Sequence, residues 1–125
     1  MHVKFILPAL VESQDKHQRS IKYSLFPPLG LATLAGYLDD SDSAEIVDEH
    51  ITPLRIDDNP DLVAIEVYVT SAYRSYMIAD AYRERGVPVV LGGLHPTACP
   101  EEAARHADSL VLGPAEEVSR LKKAL

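Results

Sequence analysis

Five short apolar runs, separated by segments with helical patterns, constrain the fold of this chain more than any other feature of its sequence. They span residues 3–7, 44–47, 62–69, 87–91 and 109–112. The second run is weak, and Glu66 interrupts the third, but the runs show little of the apolar–polar alternation of a half-exposed strand. Runs of this kind are typical of strands covered on both faces. We therefore predict a buried sheet.

Helical patterns lie between and after these runs, at residues 28–37, 72–85, 101–106 and 116–125. The first segment begins with Pro28 and the third follows Pro100, and proline in these positions suits an opening helical turn. In the second segment Tyr73, Met77 and Ala81 recur every four residues, and Gly86 is a suitable C-terminal cap. Residues 51–61 are too rich in proline and aspartate to predict a helix.

Strands that alternate with helices indicate a parallel sheet with right-handed crossovers. We predict a single α/β domain over residues 1–125, a flavodoxin- or Rossmann-like three-layer sandwich with five strands in the order 2-1-3-4-5. Ligands of such folds bind at the carboxyl ends of the strands. The loop after the first strand, residues 8–26, is long enough to be functional or disordered.

Composition excludes several classes of partner and location. The net charge of −7 argues against a nucleic-acid or anionic-membrane surface, because phosphate binding needs basic residues. Cys99 is the one cysteine, so a disulfide within the chain is impossible. No apolar run approaches the roughly 20 residues of a membrane span, and the N-terminus lacks the pattern of a signal peptide. We expect a cytoplasmic protein.

The motifs of several other uses of this fold are absent. Residues 8–10 and 68–70 lack the acidic residues of a phosphate-accepting receiver domain, and the first loop lacks a flavin-phosphate motif. The chain contains no G-x-G-x-x-G after the first strand, no P-loop, no G-x-S-x-G and no H-E-x-x-H. Each of these chemistries needs its motif at a fixed place in the chain.

A few residues at the expected ligand edge remain as candidates. Gly92 and Gly93 follow a strand and would allow close approach of a ligand, or simply form a tight turn. Thr70 and Ser71 offer hydroxyls to a ligand, or cap the next helix. A lone histidine such as His95 is more often structural than catalytic.

Two other features of the sequence do not indicate a functional site. The triplet at residues 48–50, Asp-Glu-His, is interpreted as a solvated loop, because neighbouring side chains on an extended chain point apart and do not converge on one metal. Cys99 is interpreted as a small residue before a proline, with no general base nearby in the sequence.

Taken in order, several segments resemble the cobalamin-binding domain at the N-terminus of many radical S-adenosylmethionine proteins. They are Y-S-L-F-P-P-L-G-L-A (23–32), E-I-V-D (45–48), D-L-V-A-I (61–65), V-V-L-G-G-L-H-P-T (89–97), P-E-E-A (100–103), A-D (107–108) and G-P-A-E-E (113–117). The first and fourth of these are together fairly specific. The resemblance covers nearly the whole chain.

This resemblance implies cobalamin held across the carboxyl edge of the sheet. The residues it places at the cofactor are Thr70, Ser71, Gly92, Gly93, Leu94, His95 and Gly113. Related methionine-synthase-type domains carry D-x-H-x-x-G, whose histidine binds cobalt; here Asp15 and His17 are followed by Ser20 instead of glycine. We therefore expect a cobalamin without a histidine ligand, and no metal ligand from this chain, with His17 as the alternative.

The same resemblance implies a longer parent protein. Radical enzymes of this kind bind S-adenosylmethionine at a 4Fe–4S cluster held by C-x-x-x-C-x-x-C, which one cysteine cannot form. We expect an N-terminal fragment of such an enzyme, whose partner is a downstream radical domain in the same polypeptide, with a stand-alone binding protein as the alternative. The chain alone is not expected to be catalytic, and the full-length reaction would be radical chemistry, with methyl transfer as one option.

Two rival hypotheses remain. A protein-interaction domain that kept the fold but lost the ligand would account for Glu66 inside the third run and for the G-P-A-E-E turn, in which Ala115 replaces the second glycine of the G-E-G-E or G-P-G-E more frequent in the family that the chain resembles. A small enzyme using His95 and Cys99 is the other, although no third orienting group is visible in the sequence.

Overall fold

The computed structural model describes residues 1–9 and 29–113. Its five strands form one parallel sheet in the order β2-β1-β3-β4-β5. They are β1 (His2–Leu7), β2 (Ser43–Asp48), β3 (Leu62–Glu66), β4 (Val89–Gly92) and β5 (Ser109–Val111). The predicted fold class and strand order are confirmed.

Four helices connect these strands in the described part of the chain: α1 (Leu29–Gly36), α2 (Ala72–Glu84), α3 (Leu94–Ala98) and α4 (Pro100–Ala104). Helices α1, α2 and α4 match three predicted segments, and residues 51–61 form no helix, as expected. The helix predicted at residues 116–125 lies outside the described residues. No helix among the described residues is long and apolar enough to cross a membrane.

Helix α3 was not predicted, because its five residues include Pro96. Proline lacks the backbone N–H that an interior helical position donates, so a proline inside a segment argues against a helix. In α3 the proline falls in the first turn, where that N–H would have no partner within the helix. The short helix therefore forms around a residue that normally ends one.

The third strand is shorter than the apolar run that predicts it. Strand β3 ends at Glu66, and residues 69–71 form a 3-10 turn in which Val69 is 73% exposed. The backbone of Val67 still bonds to the end of β4 and the start of α3, because its N–H donates to the Gly92 carbonyl at 2.8 Å and its carbonyl accepts from the His95 N–H at 3.1 Å. The apolar residues of the run thus continue past the sheet into a surface turn.

Two apolar clusters cover the two faces of the sheet, as a three-layer sandwich requires. On one face Ile65 and Leu91 pack with Ile78 and Tyr82 of α2. On the other face Phe5, Ala64, Val90 and Val111 pack with Leu31 of α1. The inner strands β1, β3 and β4 are buried on both sides, which explains why their sequences lack polar alternation, whereas the first four residues of the edge strand β2 are exposed.

Lys4 is a charged residue within this core, with 2% of its side chain exposed. Its ammonium group donates to the Arg55 carbonyl at 2.6 Å, to Asp58 Oδ2 at 2.7 Å and to the Tyr82 hydroxyl at 3.0 Å. The Tyr82 hydroxyl in turn donates to Asp58 Oδ1 at 2.6 Å. This network fastens the helix-free connection 51–61 to the sheet and to α2.

Candidate functional site

A cavity of about 560 Å³ lies between α1 and the carboxyl-terminal parts of β3, β4 and β5. Its walls are mostly apolar. The lining residues are Gly30, Leu31, Thr33, Leu34, Ala64, Ile65, Glu66, Tyr68, Val90, Gly92, Gly93, Leu94, Thr97, Val111 and Gly113. Its position is the one at which open parallel α/β sheets bind ligands.

Four of the seven residues placed at the cofactor by sequence line this cavity: Gly92, Gly93, Leu94 and Gly113. The structure does not bring Thr70, Ser71 or His95 to it.

Ser71 is buried in the turn before α2. Its hydroxyl accepts from the Tyr68 N–H at 3.2 Å and lies 3.4 Å from the Tyr68 carbonyl. Thr70 is exposed on the same turn. Ser71 stands at the N-cap position of α2, but its side chain makes no capping hydrogen bond to that helix and instead stabilises the backbone of the preceding turn.

The two glycines after the fourth apolar run differ in what they require. Gly93 has φ of 106°, and a Cβ atom there would lie 3.0 Å from the Val67 carbonyl oxygen and 3.1 Å from the Val67 nitrogen. Gly92 is the last residue of β4, and a Cβ there would make an ordinary 3.5 Å contact with the Val111 carbonyl oxygen. Glycine is thus needed at position 93 by backbone packing as well as by the turn.

Thr97 ties the loops after β4 and β5 together, a role that the sequence did not reveal. Its hydroxyl donates to the Gly93 carbonyl at 2.8 Å and accepts from the Gly113 N–H at 3.0 Å. Both loops border the cavity, so one side chain fixes the relative position of two of its walls. The residue sits inside G-G-L-H-P-T, but the pattern alone does not say where its hydroxyl points.

Glu66 and Tyr68 place a polar pair in the otherwise apolar wall. The Tyr68 hydroxyl donates to Glu66 Oε1 at 3.0 Å. Burial and the neighbouring Glu66 carboxylate raise the pKa of Tyr68 above its usual value. Glu66 therefore lines the ligand edge and is not buried beneath a helix layer, which settles the two placements considered for it.

The residues of α1 that line the cavity were also missed. Gly30 stands in the first turn of α1, and a Cβ there would lie 3.9 Å from Glu66 Oε1. Its presence in the P-P-L-G-L segment is the sequence signal that could have identified it. A side chain at this position would occupy space on the cavity wall.

His95 belongs to a separate cluster on the α2 side of α3. Its Nε2 lies 2.6 Å from Glu102 Oε2, and the Tyr76 hydroxyl donates to the same oxygen at 2.7 Å. Hydrogen bonds from His95 and Tyr76 lower the pKa of Glu102. The side chain of His95 thus pairs with Glu102, in a cluster that is separate from the cavity.

With Cys99, these residues are of types that could hold a metal ion, since one potential ligand atom from each of His95, Cys99 and Glu102 lies within 4.8 Å of the others. Glu102 is the third group next to His95 that the sequence did not show. The Cys99 N–H donates to the His95 carbonyl at 2.7 Å, but among the described residues no hydrogen bond joins the two side chains, so they do not form the nucleophile–base pair that the small-enzyme hypothesis needs.

The prediction of a solvated loop for residues 48–50 is wrong. Asp48 is 8% exposed and its Oδ1 lies 2.8 Å from His50 Nδ1. Glu49 accepts two hydrogen bonds from Arg74, at 2.6 and 3.1 Å, and one from the Ala9 N–H at 3.0 Å. Burial alone would raise the pKa of Glu49, but these hydrogen bonds and the charge of Arg74 lower it. Each acid in the triplet has found a partner that the linear sequence does not reveal.

Some predictions fall outside the described residues. They include His17 as a cobalt ligand, the first loop from residue 10 to residue 26, and the turn after Gly113. These stay predictions.

The fold and cavity define an α/β domain built to hold a ligand at the carboxyl edge of its sheet. The B12 binding domain family matches residues 22–121. Because that match covers most of the sequence, the chain belongs to the B12-binding domain family.

Curated relatives point in the same direction. The chain is 42% identical over 91 residues to bacteriochlorophyllide d C-8(2)-methyltransferase of Chlorobaculum tepidum, covering 72% of this chain and 20% of the relative. It is 38% identical over 58 residues to bacteriochlorophyllide d C-12(1)-methyltransferase of the same organism, covering 46% of this chain and 13% of the relative.

A third relative, an uncharacterized methyltransferase of Pyrococcus horikoshii, is 32% identical over 72% of this chain and 22% of its own length. The chain thus spans about a fifth or less of the length of the curated relatives it matches. No solved structure gives a significant match to it.

Proposed function

We propose that this chain is the cobalamin-binding module of a radical S-adenosylmethionine enzyme that transfers methyl groups. The observation that carries this proposal is the apolar cavity between α1 and β3–β5 in a chain of the B12-binding domain family. Its volume of about 560 Å³ is within the range of about 300–1,000 Å³ common for small-molecule sites.

The residues around the cavity suit a flat, largely apolar group such as the nucleotide base of cobalamin. Leu31 and Leu34 of α1 and Val90 and Val111 of the sheet line the cavity, so that both the helix and the sheet offer apolar contact. The carboxyl edge of the sheet, where Gly93 and Gly113 lie, would face the rest of the cofactor. The protein's contribution is therefore to bind and orient.

When bound, cobalamin supplies the methyl-carrying chemistry, and the protein supplies position and environment. No residue of this chain is proposed as an acid, base or nucleophile. The methyl-transfer part of the proposal is supported by the names of three relatives, all of which are methyltransferases.

S-adenosylmethionine and a 4Fe–4S cluster would be held elsewhere in a longer polypeptide. A cluster needs several thiolates, and Cys99 is the one cysteine of this sequence. We propose that the chain is the N-terminal domain of such a protein, acting with a downstream radical domain. The small share of each relative that it covers supports this organisation.

The cobalamin proposal is tested by titrating the chain with hydroxocobalamin and measuring binding from the corrin absorption spectrum and by calorimetry. Gly30→Leu places a side chain on the cavity wall, and we expect it to weaken binding at least about tenfold by filling space that the ligand needs. Gly36→Leu is the matched control, because Gly36 lies in the same helix, away from the cavity, with nothing within 4 Å of a built Cβ.

Circular dichroism establishes that each variant is folded. Saturable binding by the wild type that Gly30→Leu weakens and Gly36→Leu preserves is the expected result. A folded wild-type chain that leaves the corrin spectrum unchanged would contradict the proposal for this chain.

The rival interpretation as an interaction domain without a ligand is not favoured. Glu66 was one of its two supports, as a charge that a buried strand would tolerate poorly. In the structure this residue is part of the cavity wall, hydrogen-bonded to Tyr68.

A further inference from the structure

Glu66 is the one carboxylate among the described residues that line the cavity. It stands at the carboxyl end of β3, where Gly92 of β4 is its partner in the sheet register. Most of the surrounding wall is aliphatic or glycine backbone. A single charged acceptor in such a wall is a feature that a purely apolar ligand would not need.

The hydrogen-bonding capacity of this carboxylate is only partly used. Tyr68 donates to Oε1, and no described residue donates to Oε2. A carboxylate can accept about four hydrogen bonds, so capacity remains on both oxygens. Thr97 also lines the cavity, but its hydroxyl already donates to the Gly93 carbonyl and accepts from the Gly113 N–H.

A ligand that fills the cavity displaces water from this carboxylate. Removing an ionised group from water is costly unless a hydrogen-bond donor replaces the lost water. A ligand with a donor at this point restores that interaction, and hydrogen bonds to charged groups are stronger than neutral ones. A ligand without a donor leaves the carboxylate with the Tyr68 hydroxyl as its one donor among the described residues, and Oε2 loses its water without a replacement.

We propose that Glu66 makes the cavity selective for corrinoids whose nucleotide base presents a hydrogen-bond donor. This inference rests on the proposed function and identifies the subclass of cofactor. An adenine-type base has an exocyclic amine that donates to a carboxylate. A dimethylbenzimidazole base released from cobalt offers, in its neutral form, a nitrogen that only accepts. Glu66 therefore favours the adenine-type base and tolerates the benzimidazole less well.

The test compares two corrinoids that share the corrin ring and differ in the base, an adeninyl and a dimethylbenzimidazolyl form, by calorimetry at neutral pH. We expect the wild type to bind the adeninyl form about tenfold more tightly, the effect of roughly one charge-assisted hydrogen bond. In Glu66→Gln the amide can donate to the benzimidazole nitrogen, so the preference shrinks to near unity or reverses.

Glu101→Gln is the control for loss of one negative charge, because Glu101 lies exposed in the first turn of α4 and outside the cavity wall. This variant is expected to keep the wild-type preference. Binding of both corrinoids with equal affinity by the wild type, or a preference that survives in Glu66→Gln, would overturn the inference while leaving the proposed function standing. Failure of the folded wild type to bind either corrinoid would overturn both.

Discussion

At the scale of single residues, the two glycines after β4 show how similar sequence positions carry different constraints. Gly93 combines a positive φ with a close approach to the Val67 backbone, whereas Gly92 continues the strand with ordinary geometry. Any side chain at position 93 would be strained in its own backbone and would also push against a main chain that cannot move freely. Position 92 is next to Val111 but has enough room for a methyl group.

We expect Gly93→Ala to lower the free energy of unfolding by about 1–3 kcal/mol, the usual cost of a non-glycine residue in such a conformation. Gly92→Ala should cost distinctly less, because its added methyl group meets Val111 at an ordinary contact distance. Urea denaturation followed by circular dichroism measures both. Equal losses in the two variants would show that the positive φ and the contact with Val67 are not the limiting factors.

The residue scale is also where sequence reasoning about the site was least complete. Adjacent glycines after a strand indicate a ligand edge, and both line the cavity. The direction of a side chain in a short turn is not encoded by periodicity, so Ser71 and His95 could not be placed. In the structure they contact Tyr68 and Glu102.

At the scale of elements, the strands and the longer helices follow from the sequence because each has a repeated signal. Apolar runs mark the strands, and the four-residue spacing that ends near Gly86 marks the extent of α2. That spacing does not mark the buried face of α2, because Tyr73 and Met77 are exposed and the helix packs through Ile78, Ala79 and Tyr82. Helix α3 has too few residues to show any period and includes Pro96. The apolar run at 62–69 overestimates β3, because apolar character alone does not distinguish a strand from the exposed turn that follows it.

One element-scale prediction concerns the link between the loops after β4 and β5. Thr97→Val keeps the shape of the side chain but removes a donor to Gly93 and an acceptor for Gly113. We expect a loss of about 1–3 kcal/mol in the free energy of unfolding, since two hydrogen bonds each contribute about 0.5–1.5 kcal/mol.

Thr97→Ser separates this effect from loss of the methyl group, because serine retains the hydroxyl. Faster amide hydrogen exchange at Gly113 in Thr97→Val, but not in Thr97→Ser, is the specific sign that the link is broken. Unchanged exchange at Gly113 would contradict this account of the two loops.

At the scale of the whole molecule, strand order and layering were predictable because the handedness of crossovers leaves few topologies open. The manner in which residues 51–61 replace a helix was not. That connection is held by Lys4, Asp58 and Tyr82, which lie far apart in the chain and meet only after folding. A lysine inside an apolar run gives no indication of its future partner.

This network makes the free energy of unfolding depend on pH. Burial would raise the pKa of Asp58, but hydrogen bonds from Lys4 and Tyr82 and the charge of Lys4 hold it below its usual value. Glu49 beside Arg74 is lowered in the same way. Carboxylates whose pKa is lower in the folded state stabilise the protein above their unfolded pKa of about 4. That contribution is lost as the pH falls through the folded pKa.

We therefore expect the unfolding free energy to fall as the pH drops below about 4. Asp58→Asn should be less stable than wild type at pH 7, because Lys4 loses its paired charge, and should lose less on acidification. Asp40→Asn, an exposed position outside this network, should follow the wild-type curve. Thermal unfolding between pH 7 and pH 3 gives the comparison, and parallel curves for Asp58→Asn and wild type would contradict it.

The double hydrogen bond of Thr97 has a mechanical consequence. Because Gly93 and Gly113 share one hydroxyl, we expect a displacement of either residue to be transmitted to the other. A molecule entering the cavity therefore meets fewer independently moving parts than the number of loops suggests. A ligand that contacts only one of these two glycines should therefore also affect the other.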